Sequence, residues 1–234
     1  MISIVIPTYN ERENIIRLIK VFQNNLKKLK ALYEIIIVDD NSPDDTAKAI
    51  RENLKTNKNI RIFVRKNERG LASAIYFGIK RAKGNIIVGM DADLNHPPQL
   101  IPKLIEELGS TDLIVASRFI PGGGMEDKAR YLFTYIFNLF LKYFLRFPTM
   151  DNMSGFYAIK RETLLQLPLK EIYRGYGEYH LRLVYLAKKY GLKIKEIPVF
   201  YKKRTYGKSK TSLFKMFFIY LWIALNLRIG KTNN

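Results

Sequence analysis

Two aspartates separated by one residue are the clearest chemical feature of this sequence. Asp91 and Asp93 directly follow residues 86–90, an apolar run that predicts a buried strand. At a strand end the two-residue period directs both side chains to one side. Two carboxylates about 4 Å apart repel each other by roughly 4 kcal/mol at an effective dielectric of about 20, so the pair requires a shared proton or a cation. We expect Mg²⁺ or Mn²⁺, completed by phosphates and water; the alternative is that the carboxylates only cap the following helix.

The elements that position this pair alternate between strands and helices up to Ser117. Short apolar runs predict strands near residues 2–6, 35–38, 61–64, 86–90 and 113–116. The helical stretches between them indicate a mostly parallel sheet covered on both faces, and Ser42 is predicted to cap the helix after the second strand. Ligands of such sheets bind outside the carboxyl ends of the strands, where residues 8–11, 39–41 and 91–93 are polar. We therefore expect three strand ends to converge on one crevice.

The composition limits both the fold and the partners. At 234 residues the chain has room for one sizeable α/β domain and an appendage. The 40 Lys and Arg residues against 21 Asp and Glu give a formal charge of +19, which predicts an anionic partner: nucleic acid, a lipid surface or a phosphorylated substrate. The absence of Cys excludes disulfides and Cys-zinc sites, and the presence of only two His argues against a Ser-His-Asp triad.

The two familiar phosphate-binding loops are absent from the sequence. There is no GxxxxGK(S/T) motif and no GxGxxG after a strand, which argues against a P-loop NTPase and a dinucleotide oxidoreductase. Diphosphate binding would then depend on a metal and on basic side chains, for which residues 204–210, RTYGKSK, are candidates. The alternative for this segment is a solvated charge run or a patch that contacts lipid headgroups.

Two later segments are dense in aromatic and aliphatic residues. They cover residues 131–147 and 213–227, with basic residues among them or at their ends. The uninterrupted part of the second segment, residues 216–227, would span about 18 Å as a helix, which is short of the roughly 30 Å of a bilayer core. We expect amphipathic helices that lie in a membrane interface; the alternative is that both pack onto the sheet or onto each other.

Six short motifs occur in the order found in family 2 glycosyltransferases, and the sequence resembles that family over nearly its whole length. They are PTYNE at 7–11, VDDNSPD at 38–44, DAD at 91–93, SRF at 117–119, SGF at 154–156 and GKSK at 207–210. The likeness is greatest to dolichol-phosphate mannose synthases. It implies a GT-A (Rossmann-like) fold, a Mg²⁺ or Mn²⁺ cofactor, and inverting transfer of one sugar, above all mannose from GDP-mannose, to dolichyl or polyprenyl phosphate.

The resemblance also assigns residues to the donor. The positions that match its nucleoside-binding residues are Pro7, Tyr9, Glu11, Val38 and Asp39. The metal and donor motif is matched by Asp91, Ala92 and Asp93, with Asn95 as a further metal ligand where close relatives have Gln. The residues implied to contact the donor diphosphate are Arg204 and Lys210.

The acceptor phosphate is assigned in the same way. The matching positions are Arg118, Arg130, Thr134 and Ser154. A phosphate monoester is already anionic near neutral pH, so this nucleophile needs no strong general base. Arg118 and Arg130 would neutralise and aim the acceptor, while a metal on Asp91 and Asp93 would neutralise the leaving diphosphate. The predicted catalytic set is Asp91, Asp93, Arg118 and Arg130.

We expect one catalytic domain with a membrane-surface extension. The GT-A domain would cover residues 1–210, with an interfacial helix at about 128–147, and residues 211–234 would form a C-terminal amphipathic helix and tail. The N-terminus begins a strand and lacks a basic leader, which indicates a peripheral protein on the cytoplasmic face of a membrane. Its partners would be a GDP- or UDP-hexose, a polyprenyl or dolichyl phosphate and an anionic membrane surface, with a membrane-embedded partner subunit left open.

Other functions are compatible with parts of the sequence. The nearest is a UDP-glucose-dependent polyprenyl-phosphate glucosyltransferase. A family 2 transferase that acts on a hydroxyl would need a carboxylate base, for which Asp151 and Glu178 are candidates. Glu178 and His180 could also contact sugar hydroxyls or have only a structural role. A basic nucleic-acid-binding protein fits the charge, but the acidic strand end opposes it.

Overall fold

A computed structural model gives the fold of residues 1–25, 31–53, 58–202 and 213–230. These ranges contain nine strands: β1 (Ile2–Thr8), β2 (Tyr33–Asp39), β3 (Ile60–Val64), β4 (Ile86–Gly89), β5 (Leu113–Ser117), β6 (Gly124–Met125), β7 (Tyr157–Lys160), β8 (Ile194–Pro198) and β9 (Phe200–Tyr201). Seven of them form one sheet in the order β3-β2-β1-β4-β7-β5-β8, and β6 pairs with β9. All pairs in the large sheet are parallel except those that β7 makes with β4 and β5.

Helices connect the strands of the large sheet. They are α1 (Arg12–Asn25), α2 (Thr46–Asn53), α3 (Leu71–Ile79), α4 (Ile101–Glu107), α5 (Lys128–Leu145), α6 (Arg161–Leu165), α7 (Leu169–Ile172), α8 (Tyr179–Lys189) and α9 (Leu213–Arg228). Single 3₁₀ turns, Pro98–Leu100 and Leu108–Ser110, adjoin α4. The five predicted strands are all present, and the predicted α/β architecture with a mostly parallel sheet is confirmed.

The alternation of side chains along the strands divides the core into two layers. On β1, Ile4 and Ile6 belong to the layer that also contains the apolar residues of α1, α2 and α4. Val5 belongs to the other layer, with residues of α3, α5, α8 and α9. Both faces of the sheet are therefore covered, which explains why its central strands, such as β1, β4 and β5, are mostly apolar runs and not alternating ones.

The predicted start of the second helix was wrong by three residues. α2 begins at Thr46, not after Ser42. The Ser42 hydroxyl donates to Asp39 Oδ1 at 2.6 Å, so it is used by the turn after β2. The Asp44 carboxylate accepts the backbone N–H of Thr46, the first residue of α2, at 3.0 Å.

The two aromatic segments form α5 and α9, which pack against each other. The Phe137 and Phe217 rings lie 4.9 Å apart, and Tyr220 of α9 is buried in the same layer. Each helix also keeps an exposed apolar stripe, formed by Leu132, Phe133, Ile136, Phe140 and Tyr143 on α5 and by Phe218, Trp222 and Leu225 on α9, with exposed Ile229 directly after α9. The alternative that the two helices pack onto each other is therefore confirmed, and their location in a membrane interface stays a prediction. Within the described ranges, no helix has the length and hydropathy needed to cross a bilayer.

We expect Gly89→Ala to destabilise the fold by about 1–3 kcal/mol, because the β4 position has no room for a methyl group. A Cβ at Gly89 would lie 2.6 Å from Cζ of the fully buried Tyr157 ring. The matched control is Gly109→Ala, at an exposed position where a Cβ meets nothing within 4 Å. Urea unfolding measures both variants, and equal midpoints for the two would contradict this packing constraint.

Candidate active site

A cavity of about 760 Å³ lies at the carboxyl ends of the parallel strands. Its lining includes residues that follow the three predicted strand ends: Thr8, Tyr9, Asp40, Asp91 and Asp93. The predicted convergence of three strand ends on one crevice is therefore confirmed. The same cavity is lined by Arg118, Arg130 and Ser154, so the acidic and the basic candidates open onto one space.

The sheet order fixes the spacing between the acidic and the basic candidates. Asp91 follows β4 and Arg118 follows β5, and β7 lies between these two strands. Two strand spacings separate the two ends by about 10 Å. Because β7 is antiparallel to both neighbours, its N-terminal turn, which contains Ser154, lies between Asp91 and Arg118.

The two aspartates of the DAD motif differ in exposure. The Asp91 side chain is 42% exposed, whereas Asp93 as a residue is 9% exposed. Asn95 supports Asp93, because its backbone N–H donates to Asp93 Oδ1 at 3.1 Å and its side-chain amide donates to Oδ2 at 2.9 Å. Direct metal ligation by the Asn95 amide oxygen stays a prediction. Ala92 is buried and does not line the cavity.

The donor set at this strand end fits a hard divalent cation that takes most of its ligands from substrate and water. Asp91 and Asp93 offer carboxylate oxygens to the cavity. No cluster of three or more Asp, Glu, His or Cys residues suited to a metal occurs in the part of the chain that the structure describes. Mg²⁺ and Mn²⁺ are commonly held in this way, by one or two carboxylates plus phosphate oxygens.

Arg118 is held by a buried bidentate ion pair with Asp151. Its Nε and Nη2 atoms donate to the two Asp151 carboxylate oxygens at 2.7 Å each, and its backbone N–H donates to Oδ2 at 3.0 Å. Glu196 in turn accepts the backbone N–H groups of Met150 and Asp151. Burial raises the pKa of the Asp151 carboxyl, but the charge and hydrogen bonds of Arg118 outweigh it and lower that pKa below its usual value.

Because of its ion pair with Arg118, Asp151 is unsuited to act as the general base for a hydroxyl acceptor. Both Asp151 oxygens are used by Arg118, and the residue is fully buried. Glu178, the other candidate, is also buried, lies 3.7 Å from Arg182 in an ion pair and does not line the cavity. The expectation that either carboxylate serves as a general base is therefore not supported by their positions.

The start of α5 brings Arg130 to the cavity but not Thr134. Asp127 caps the helix by accepting the Arg130 N–H at 3.0 Å, and both residues line the cavity. Thr134 is buried, and its hydroxyl donates to the Arg130 carbonyl at 2.7 Å, so its predicted contact with an acceptor phosphate is wrong for this structure. A Thr inside a helix commonly makes this bond to the carbonyl four residues earlier. Ser154 lines the cavity, and its contact with an acceptor phosphate stays a prediction.

Three of the five predicted nucleoside contacts line the cavity: Pro7, Tyr9 and Glu11. Val38 and Asp39 do not, because both are fully buried below the strand end. The Asp39 carboxylate accepts hydrogen bonds from the hydroxyls of Thr8 and Ser42 and from the Ser42 N–H, so it stabilises the turn. Arg204 and Lys210, predicted for the diphosphate, lie outside the described residues.

His180 has a structural position and no contact with the cavity. It is fully buried on α8, 5.8 Å from the Tyr157 ring. Within the described residues, neither of its ring nitrogens has a hydrogen-bond partner. Burial lowers its pKa to about 4, with Asp151 opposing this shift and His96 and Arg118 adding to it. Contact of His180 with sugar hydroxyls is therefore not supported.

Several lining residues were not found by sequence reasoning. They are Arg69, His96, Met125, Asp127, Met153, Tyr176, Tyr201 and Lys202. Arg69 follows the end of β3, and its guanidinium lies 4.4 Å from the centre of the Tyr9 ring. The rule about strand ends, applied to β3, would have identified it. The same rule applied to β4 would have included His96, and Tyr176 lies in the segment before α8. The remaining residues depend on the long-range packing of β6, β7, β9 and α5, which no local motif encodes.

The fold and the position of the site define a GT-A-like α/β protein. Residues 3–167 match the family model of glycosyl transferase family 2, so the chain belongs to that family. The resemblance that six short motifs predicted is therefore confirmed.

Two of the relatives are dolichol-phosphate mannosyltransferases. The protein from Pyrococcus furiosus is 36% identical over 214 residues, and the protein from Saccharomyces cerevisiae is 34% identical over 216 residues. The alignments cover 89% and 90% of this chain, but 58% of the Pyrococcus protein and 80% of the yeast protein. An undecaprenyl-phosphate mannosyltransferase from Micrococcus luteus is 28% identical over 215 residues, which are 89% of this chain and 86% of that protein.

Solved structures of glucosyl-3-phosphoglycerate synthase from Mycobacterium tuberculosis share the fold. The complex with phosphoglyceric acid has a TM-score of 0.72 at 21% identity and covers 98% of this chain and 80% of that one. The complex with Mn²⁺ and UDP-glucose has a TM-score of 0.72 at 22% identity, with 98% and 79% covered.

We expect His180 to make the protein less stable as the pH falls from about 6.5 to about 4. In this range the unfolded chain binds a proton that folded His180, with its pKa lowered to about 4, does not bind. The stability difference between wild type and His180→Phe should change by about 2–3 kcal/mol across that range, in favour of the variant at low pH. Denaturant unfolding at several pH values measures it, and a difference independent of pH would contradict the expectation.

Proposed function

We propose that the protein transfers one sugar from a nucleotide diphosphate sugar to a polyprenyl phosphate, with inversion at the anomeric carbon. One observation carries the choice of acceptor: Arg130 of α5 lines the cavity, and the exposed apolar stripe of the same helix begins at Leu132. A phosphate bound at Arg130 therefore lies within a turn of a surface suited to a hydrocarbon chain.

The exposed stripes of α5 and α9 support contact with a lipid surface. The helices adjoin through Phe133 and Phe217, whose rings are 6.2 Å apart, so the stripes lie on neighbouring elements. Exposed Arg146 directly follows α5, and exposed Arg228 is the last residue of α9. Apolar side chains beside basic ones are typical of helices that lie among lipid headgroups, and each basic residue adds roughly 1 kcal/mol near an anionic leaflet. We infer peripheral attachment to an anionic membrane, on its cytoplasmic face.

The residues of the cavity suit a reaction between two anions. Arg118, aimed by Asp151, and Arg130 can bind the oxygens of an acceptor phosphate and offset its charge. Such a phosphate is already ionised and needs no base, which agrees with the absence of Asp151 and Glu178 from the cavity lining. A divalent cation on Asp91 and Asp93 would neutralise the charge that develops on the leaving diphosphate.

The relatives guide the finer choice of substrates. Because the three relatives described above are dolichol-phosphate and undecaprenyl-phosphate mannosyltransferases, we infer mannose as the sugar and GDP-mannose as the donor. UDP-glucose is the second candidate, because a synthase with the same fold is known in complex with Mn²⁺ and UDP-glucose. Mn²⁺ in that complex also supports Mn²⁺ or Mg²⁺ as the cofactor here.

We expect a lipid-linked mannose phosphate when the protein is incubated with Mn²⁺, a short polyprenyl phosphate and a panel of GDP- and UDP-sugars, with the product identified by mass. Asp93→Asn should lower the rate by about 100-fold or more, because a carboxylate that holds the cation is lost. The matched control is Asp45→Asn, since Asp45 is exposed and outside the cavity.

Two results would contradict this proposal. One is an Asp93→Asn variant as active as Asp45→Asn, with EDTA having no effect, which would reject the metal assignment. The other is transfer to 3-phosphoglycerate with none to polyprenyl phosphate, which would reject the lipid acceptor.

We expect the protein to co-sediment with liposomes that contain phosphatidylserine. Changing Phe218 and Trp222 to Ser should weaken this binding, because both side chains are more than half exposed on α9. Phe217 is unsuitable for this test, since its ring packs 4.9 Å from Phe137. The control changes Leu165 and Tyr190, which are exposed on other elements, to Ser. Equal sedimentation of the two double variants would reject α9 as the contact.

A further inference from the structure

His96 links the two halves of the cavity by a pair of hydrogen bonds. Its Nδ1 accepts the backbone N–H of Asp91 at 2.8 Å, and its Nε2 lies 3.1 Å from the Ser154 carbonyl oxygen. Asp91 belongs to the acidic strand end, and Ser154 belongs to the turn before β7. One side chain thus connects loops that are 58 residues apart in the chain.

The partners of His96 fix its tautomer. A backbone N–H can only donate, so Nδ1 must carry a lone pair, and a carbonyl oxygen can only accept, so Nε2 must carry the proton. The neutral imidazole thereby satisfies both groups, and reversal of the ring would leave two buried polar groups without partners. Only a side chain with an acceptor and a donor at this separation can make the link.

The ring of His96 is also held by packing. It is 1% exposed, stacks on Phe156 with ring centres 5.0 Å apart at 9°, and lies 5.2 Å from the Tyr201 ring. The Tyr201 hydroxyl lies 2.9 Å from the Ser154 hydroxyl and donates to its carbonyl at 3.1 Å. The Arg118 guanidinium lies 5.0 Å from the Tyr201 ring centre. A continuous series of contacts therefore runs from Asp91 through His96 to Arg118.

We propose that His96 is a positioning residue that sets the distance between the donor side and the acceptor side of the cavity. This inference rests on the proposed function, because it takes the Asp91 loop as the donor side and the Ser154 turn as the acceptor side. His96 holds the Asp91 backbone through Nδ1 and the Ser154 turn through Nε2–H. Each hydrogen bond holds the loop on which a different substrate would bind. Substitutions at position 96 can remove the two hydrogen bonds separately.

Two substitutions separate the bonds. In His96→Asn the amide oxygen occupies the place of Nδ1 and can accept the Asp91 N–H, but the side chain is too short to reach Ser154. In His96→Gln the amide nitrogen occupies the place of Nε2 and can donate to the Ser154 carbonyl, but no acceptor remains beside the Asp91 N–H. The control is His180→Phe, which changes the other fully buried histidine, outside the cavity.

Calorimetric titration measures the effects on binding. The probes are GDP and UDP, each with Mn²⁺, for the donor side, and farnesyl phosphate in detergent for the acceptor side. We expect His96→Asn to raise the Kd of farnesyl phosphate by about three- to tenfold with nucleotide binding unchanged, and His96→Gln to do the reverse, as the loss of one hydrogen bond predicts. His180→Phe should leave both Kd values unchanged.

The pattern of binding decides the inference. Equal weakening of both probes in both variants would indicate a purely structural histidine and overturn it, as would no weakening in either. The opposite assignment, with His96→Asn affecting only the nucleotide, would overturn it as well. If the two His96 variants show the selective pattern but the wild-type protein transfers no sugar to polyprenyl phosphate, the proposed reaction is wrong. The role of His96 in holding the two loops stands in that case.

Discussion

The separation of opposite charges within one cavity is the constraint on which the rest of the site depends. Asp91 follows β4, Arg118 follows β5, and only β7 lies between them, which sets the two ends about 10 Å apart. At this distance a cation at the acidic end and a guanidinium at the basic end can each hold an anion, and the two anions can still touch. A parallel β7 would have placed its carboxyl end here, whereas the antiparallel strand brings the Ser154 turn between the charges.

Helix α5 connects this charged cavity with an apolar surface. Its first turn places Arg130 at the cavity, and the following turns alternate between Phe137 and Leu141, which face the core, and Ile136 and Phe140, which are exposed. The helical period therefore supplies a cationic end, a packed face and an apolar outer face from one segment. α9 packs against the core-facing side of α5, where Phe217 contacts Phe137. A soluble phosphate acceptor would need only the cationic end of α5, whereas a lipid phosphate needs both the cationic end and the apolar outer face.

The strand ends and the two aromatic helices could be predicted because they depend on local patterns. The hydrogen-bond partners of the site residues could not be predicted, because a motif indicates that a residue lies near a cavity but not which group it bonds. Thr134 illustrates this, since its hydroxyl is used by a carbonyl of its own helix. The Asp39 carboxylate is similarly used in the turn after β2, where it accepts a hydrogen bond from the Ser42 hydroxyl. The bonds of Asp151 to Arg118, of His96 to Ser154 and of Tyr201 to Ser154 each join residues more than 30 positions apart, so no sequence spacing indicated these pairs.

The ion pair with Asp151 gives Arg118 surroundings different from those of Arg130. Asp151 fixes the guanidinium through two parallel hydrogen bonds and offsets its charge, so Arg118 is oriented but contributes little net positive potential. Arg130 is only half-buried and lies in the first turn of α5, where the positive end of the helix dipole adds to the attraction for an anion. The two arginines therefore reach the cavity from two different elements, Arg118 from the end of β5 and Arg130 from the start of α5.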